Sequence, residues 1–471
     1  MTFNSLGFLA FLIVVLLVLY GLPGERLRQW GLLLASYVFY GTWDARFVFL
    51  LAGVSALGYC GGVWVRRLDG SGRGWPLGLW VGLLLSPLLF FKYTNFIVSN
   101  AAALLLPSGG VAQHFDIILP IGVSFFTFQA ISYVADVAAG RLAPEPSIRR
   151  FATYMAFFPH LVAGPIVRAR DFLPQLHAPW RAPSRAVVGF ALTRFLWGLF
   201  KKLCIADHLA RSIVDPVFGN LAQASGGAII LATFAFGLQI YADFSAYGDM
   251  ALSLARLLGY RLRENFDAPY LATSVRDFWR RWHMSLSLFI RDYVYVPLGG
   301  SRGLSPWRAA LNALSAMVLC GIWHGAAWNF VAWGAVHGCA LVLQRLLPSL
   351  PVMAVVGWVA THAFVMAAWF LFRIESTADV AILAGKLLAG GWKPGDVSRD
   401  FLPILFVDAV VVYGEQAIIR MWHGRRMPNR AKIRLARMVP AQVLMSCALA
   451  VLVVLFMDRT MTASAFIYFQ F

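Results

Sequence analysis

The chain has 471 residues, of which 60% are hydrophobic, 15% aromatic and 13% charged, with a mean hydropathy of +0.69. This excludes an ordinary water-soluble domain and predicts an all-α polytopic membrane protein whose backbone polar groups are satisfied inside helices. The net charge of +18 does not point to nucleic acid, because the cations sit in short loops between apolar runs, where membrane topology accounts for them.

Apolar runs fall at residues 7–20, 30–64 (two spans), 76–92, 117–135, 187–204, 227–242, 309–323, 327–347, 352–373, 401–419 and 438–457. At roughly twenty residues per crossing they make about ten to twelve spans, the shorter ones re-entrant or interfacial. Phe8 to Tyr20 lacks a basic leader and a small-residue cleavage site, so it reads as a retained span. No internal repeat or soluble insert interrupts the pattern, and residues 1–471 read as one membrane domain. The loop 420–437, with Arg425, Arg426, Arg430, Lys432 and Arg434 and no acid, is expected in the cytoplasm. Arg66, Arg67 and Arg73, then Arg149 and Arg150, follow the same rule, and the tail 458–471 falls outside.

Polar chemistry concentrates in the weakly apolar stretches 139–185 and 256–308. In chain order, Gly164-Pro165 after Phe157-Phe158-Pro159-His160 marks a broken or re-entrant turn. Lys201 and Lys202 read as interfacial cations snorkelling to the headgroups. Asp243 and Asp249 follow an apolar span and could orient an imidazole, pair with arginines or serve structure alone. From Arg276 a helical period sets Arg276, Arg280, His283, Ser287 and Arg291 on one polar stripe and Trp279, Trp282, Leu286, Phe289 and Ile290 on another face. That pattern fits either an interfacial helix holding lipid phosphates or the wall of a polar path with His283 pointing inward.

Gly321-Ile322-Trp323-His324-Gly325-Ala326-Ala327-Trp328-Asn329 places an ionisable ring inside an apolar run, a functional-site hypothesis by default. Gly321 and Gly325 permit close helix approach, and Trp328 is expected one turn from His324 on the same face. His337, thirteen residues on, is expected on the opposite face of a straight helix, outside the His324 pocket. The five cysteines, Cys60, Cys204, Cys320, Cys339 and Cys447, lack ligand spacing, so no metal is expected.

Several of these segments recur together in a known order. Ser124-Phe125-Phe126-Thr127-Phe128-Gln129, Phe157-Phe158-Pro159, Ala163-Gly164-Pro165-Ile166, Phe200-Lys201-Lys202, Asp243-Phe244-Ser245, Glu264-Asn265-Phe266, Phe278 through Leu286 and Trp323-His324-Gly325 resemble the membrane-bound O-acyltransferase superfamily. The pattern is most similar to its bacterial branch typified by the membrane subunit of alginate O-acetylation, with relatives in cellulose and peptidoglycan acetylation. The matches are densest over residues 117–340, and the ending Phe466-Ile467-Tyr468-Phe469-Gln470-Phe471 is also typical.

The resemblance implies a ring of tilted transmembrane helices around a central tunnel, with re-entrant and interfacial helices. It also implies a multi-pass protein of the bacterial inner membrane. The family's near-invariant histidine matches His324, and its second histidine matches His283. Acetyl groups from cytoplasmic acetyl-CoA would cross to the outer face, where a periplasmic SGNH-type acetyltransferase passes them to an exopolysaccharide such as alginate or cellulose. No resident cofactor is expected, acetyl-CoA being the donor substrate. On this reading His324 is a general base or transient acyl carrier and His283 positions the acyl carbonyl. Arg276, Arg280 and Arg291 suit a phosphate-rich donor, with Asp243, Trp328 and Ser287 as further substrate-binding candidates. The residues alone also admit a transporter or proton relay, and a scaffold that only recruits an outer-face enzyme.

Overall fold

The computed structural model describes residues 1–67, 74–105, 113–346, 354–390, 401–423, 439–456 and 466–467. Arg73, the basic run from Arg425 to Arg434 and most of the tail 458–471 lie outside the described residues. Among those described, every regular element is helical.

In chain order the helices are α1 (Leu6–Gly21), α2 (Glu25–Gly41), α3 (Arg46–Arg67), α4 (Gly74–Leu88), α5 (Thr94–Leu105), α6 (Val123–Ala138), α7 (Ile148–Ala156), α8 (Phe158–Leu161), α9 (Ala169–His177) and α10 (Arg185–Phe200). There follow α11 (Asp207–Leu209), α12 (Asp215–Phe218), α13 (Gly226–Leu257), α14 (Val275–Arg281), α15 (Met284–Ile290), α16 (Pro306–His324), α17 (Trp328–Leu346), α18 (Ala354–Arg373), α19 (Ala378–Leu388), α20 (Phe401–His423) and α21 (Val439–Phe456).

Among the described residues, five helical stretches are long and apolar enough to cross a membrane: Arg46–Arg67, Gly74–Leu105, Gly226–Leu257, Ala354–Arg373 and Phe401–Met421. Leu6–Gly21 and Val123–Ala138 are shorter apolar helices. Other apolar runs become shorter or polar-interrupted elements. The run 187–204, for example, passes from α10 into a wide π-turn at Lys201–Ala206, the kind of distortion that recurs where a helix is adapted to function.

The described chain forms two compact units, Met1–Ala191 with Ala251–Arg263, and Leu192–Met250 with Glu264–Phe471. In the first, α2, α3, α6 and α7 pack through small residues and rings. A Cβ at Gly58 would press on Phe151 and Ala130, and one at Gly62 would enter the Tyr133 ring. Phe8, Phe39 and Phe158 fill the adjoining space with rings 5.5–6.3 Å apart. The Gly164 turn is buried as its sequence predicts, with its N–H donating to the His160 carbonyl. The His160 ring donates from Nε2 to Gln129 Oε1 at 3.2 Å, since Gln129 Nε2 is committed to the Tyr154 carbonyl.

The second unit is built on α13 and on the hairpin α16–α17. Gly321 and Gly334 face each other across that hairpin. A Cβ on Gly321 would collide with the Phe330 carbonyl oxygen, and one on Gly334 with the Met317 carbonyl oxygen. Main-chain approach this close is what small residues permit.

Here the expectation of snorkelling lysines is overturned. Lys201 and Lys202 are 1% exposed and point into the protein. Lys201 Nζ bonds Asp249 at 2.7 Å, Glu415 at 2.8 Å and the Ser245 hydroxyl, while Arg194 bridges Asp249 and Glu264. Lys202 Nζ sits between Asp207 (2.8 Å) and Asp243 (2.7 Å). Two ammonium groups removed from water are tolerable only with carboxylates around them, and those carboxylates come from α11, α13 and α20.

Candidate active site

The polar stripe expected from Arg276 to Arg291 does not exist as one helix. α14 stops at Arg281, and His283 adopts a left-handed conformation (φ 42°, ψ 54°) before α15 starts at Met284. A non-glycine residue pays to sit there, so something must hold it. Asn265 does. Its Oδ1 accepts from the Ser285 N–H (3.1 Å), the Ser285 hydroxyl (2.9 Å) and His283 Nδ1 (3.3 Å), and its carbonyl accepts from the Met284 N–H at 2.9 Å. The break turns His283 inward to complete burial while Arg276 and Arg280 remain exposed.

These contacts fix the imidazole's tautomer. A backbone N–H only donates, so the atom it meets on Asn265 is the carbonyl oxygen, and His283 Nδ1 must carry the proton. The lone pair is left on Nε2. Burial pushes the His283 pKa down to about 3, so the ring is neutral at ordinary pH.

His324 ends α16 and is 3% exposed. Its ring lies 4.9 Å from that of Trp323, 5.2 Å from Trp333 and 5.2 Å from Phe372, all edge to face. Trp323 also meets His283, 5.9 Å between centroids, and His283 stands edge-on to Phe244 at 4.7 Å. The two imidazoles predicted from sequence therefore flank one indole.

Trp328 does not continue the helix that ends at His324. The helix breaks over Gly325–Ala327, and Trp328 opens α17 at 58% exposure. Gly325 is required at the break, because a Cβ there would fall inside the Phe330 ring. The bend also brings His337 against a ring that touches His324, the place of a packing residue behind the site. On the returning helix, Trp333 touches His324 on one side and His337, at 4.7 Å, on the other. The Trp279 indole N–H donates to His337 Nδ1 at 3.3 Å, which makes His337 the Nε2–H tautomer.

Of the remaining predicted residues, Asp243 faces Lys202 and accepts the Ile467 N–H at 2.7 Å, rather than orienting an imidazole. Arg276 is exposed, its backbone N–H on Gln344. Arg280 is exposed, and Arg291 pairs with its neighbour Asp292 at 2.6 Å on the surface. Ser287 donates its hydroxyl to the Trp282 carbonyl, bracing the turn that carries His283.

Two residues that sequence reasoning gave no role stand out. Asn265 lies in the quoted Glu264-Asn265-Phe266 segment, and that was its only signal. Trp333 had none, because its place depends on the bend at Gly325. Both are buried, and among the described residues Asn265 Nδ2 and the Trp333 indole N–H meet no acceptor. Buried donors of this kind call for a functional explanation. Among the described residues no cluster of His, Cys, Asp and Glu could hold a metal ion.

The model of the membrane-bound O-acyltransferase family matches residues 125–378, more than half of the chain and the whole of this constellation. The chain belongs to that family and is a membrane-embedded O-acyltransferase. It is 38% identical over 423 residues to a probable alginate O-acetylase AlgI of Pseudomonas aeruginosa, covering 88% of this chain and 80% of that one. It is 37% identical over 453 residues to the corresponding protein of Azotobacter vinelandii, covering 92% and 88%. A peptidoglycan O-acetyltransferase of Helicobacter pylori is 31% identical over 410 residues, covering 78% and 75%.

Proposed function

We propose that this protein takes acetyl groups from cytoplasmic acetyl-CoA and delivers them across the bacterial inner membrane for O-acetylation of an exopolysaccharide, alginate or cellulose among the candidates. A periplasmic SGNH-type acetyltransferase is its proposed outer partner. The observation that carries the reading is the pair His283 and His324, both buried and both against the Trp323 indole, in a family of acyltransferases.

Acyl transfer from a thioester needs a base for the acceptor hydroxyl, donors for the developing oxyanion and a proton for the leaving thiolate. His324 takes the hydroxyl proton as oxygen attacks the thioester carbonyl, then returns it to the sulfur as the tetrahedral intermediate collapses to ester and CoA thiol. The aromatic walls around it keep water from competing for the acyl group. Asn265 Nδ2 and the Trp333 indole are the donors offered to the acyl oxygen, and His283, neutral and fixed by Asn265, positions that group. The exposure of Arg276 and Arg280 supports contact with phosphates, of donor or of lipid, at the surface rather than inside the site.

The test supplies isotopically labelled acetyl-CoA to membranes containing the partner proteins and follows label in extracellular polysaccharide together with free CoA. His324→Ala, inserted and folded, is expected to abolish both signals. Persistence of both would overturn the assignment and favour a scaffold, while label crossing without CoA release would favour a transporter.

A further inference from the structure

The first unit carries a cluster of cations that the transfer chemistry does not use. α2 begins with Glu25-Arg26, α3 ends with Arg66-Arg67, and α7 begins with Ile148-Arg149-Arg150, all in loops the positive-inside rule places in the cytoplasm. Most guanidinium groups near this end have an assignment. Arg150 holds Glu145 at 2.9 Å, with His177 on the other carboxylate oxygen. Arg28 bonds the Leu19 carbonyl and lies 4.5 Å above the Trp180 ring.

Arg149 and Arg26 differ, having no carboxylate partner among the described residues. Arg149 is nevertheless held in place. Its Nε donates to Gln29 Oε1 at 3.1 Å, and Gln29, buried, is itself anchored by donating Nε2 to the Leu176 carbonyl at 2.7 Å. Gln29 lies one turn along α2 from Arg26, which brings the Arg26 charge beside the Arg149 fork. Partial desolvation, then the like charges of Arg26 and Arg150, lower the Arg149 pKa. A side chain fixed by a buried amide and crowded by two cations is an arrangement that an incoming polyanion relieves.

We infer that Arg149, oriented by Gln29 and flanked by Arg26 and Arg150, forms a phosphate-recognition site on the first unit. The two Nη groups left by the Gln29 contact match a phosphate edge bidentately, and the neighbouring guanidinium groups suit a dianion better than a single carboxylate. Such a phosphate could come from the headgroup of an anionic lipid or from a soluble phosphoanhydride such as that of coenzyme A. With coenzyme A as the source the inference rests on the proposed donor, and because its test reads binding and not turnover it can fail without that reading.

The full-length protein in phosphatidylcholine nanodiscs would be titrated with coenzyme A and with adenosine 3′,5′-bisphosphate by calorimetry. In parallel, nanodiscs containing phosphatidylglycerol would be analysed for retained lipid by native mass spectrometry. Arg149→Gln is expected to weaken the bound species by about tenfold or more, the worth of a charge-assisted hydrogen-bond pair. Arg149→Lys should recover part of the loss, and Arg66→Gln, in the last turn of α3 and outside the Arg26–Arg149–Arg150 group, should change nothing. Weakened soluble-ligand binding identifies a nucleotide-type source, and lost lipid retention alone identifies a headgroup. Wild-type behaviour of Arg149→Gln in both arms overturns the site, as does an equal loss in Arg66→Gln, which would mean diffuse surface charge. If Arg149→Gln fails to fold, the exposed Arg26→Gln decides in its place, and unchanged binding there is equally fatal.

Discussion

Asn265→Ala separates an active-site role, as donor to the acyl oxygen and anchor of His283, from a merely structural one. The truncation removes the acceptor of the buried His283 Nδ1–H, whose stranding costs about 1–3 kcal/mol, and of the part-buried Ser285 N–H, whose loss costs less. The Ser285 hydroxyl can rotate to another acceptor. The left-handed backbone at His283, worth about 1–2 kcal/mol of strain, then loses the contacts that offset it, and relaxation toward an ordinary turn carries the imidazole away from Trp323. A displacement near 1 Å of a reacting group costs about 100-fold in rate, so kcat for acetyl transfer is expected to fall by at least that factor. The KM for acetyl-CoA should stay within about twofold, because Asn265 is buried away from the surface arginines proposed to hold the donor's phosphates. Purified protein assayed for CoA release, with the thermal midpoint measured on the same sample, supplies both numbers. A variant that unfolds earlier yet turns over at the wild-type rate would refute the reasoning and leave Asn265 as a helix cap alone.

Gly321→Ala should lower stability by about 1–3 kcal/mol or more, since its methyl would meet the Phe330 carbonyl and main chain that has nowhere to go. Gly248→Ala, which among the described residues has open space around the new methyl, should instead raise the thermal midpoint through lower chain entropy. Lys202→Met takes away the cation between Asp207 and Asp243, leaving Asp207 the more distant Arg211 at 3.8 Å, and is expected to cost about 3 kcal/mol, read as a lowered midpoint in detergent. Burial holds His160 and His283 near pKa 3, below the ordinary histidine value of about 6.5. Below that ordinary value the unfolded chain therefore binds more protons than the folded one. Stability from this source is complete above about pH 6.5 and is lost as pH falls toward 3. His160→Gln, which retains a donor for Gln129, should flatten that acid slope in thermal-melt series, and an unchanged slope would count against it.

The class of protein could be read from the chain because hydropathy and intramembrane ionisable residues are local signals. His283 and His324 announced themselves in the same way. What could not be read depends on partners far along the chain. No Pro or Gly marks the break at Trp282–His283, which is imposed by Asn265, eighteen residues earlier. Trp328 fitted the periodicity of a continuous helix, and the bend at Gly325 gave its place to Trp333 and brought His337 to the same indole. Lys201 resembled an interfacial anchor because Glu415, more than two hundred positions away, is invisible to any local window, and Lys202 because Asp243, forty-one positions on, is too. The arginine stripe failed for the same reason as the helix beneath it.

Five of the seventeen tryptophans, Trp279, Trp282, Trp323, Trp333 and Trp369, form a linked set of rings around His283, His324 and His337. These five of seventeen indoles place a share of the near-ultraviolet emission at the candidate site, the other twelve adding a constant background. A positively charged imidazole beside an indole drains emission, whereas a neutral one does so weakly, so a proton taken up at His324 would dim the light from Trp323 and Trp333. The enzyme comes with its own reporter, and acyl chemistry at its centre can be followed in time without attaching a dye.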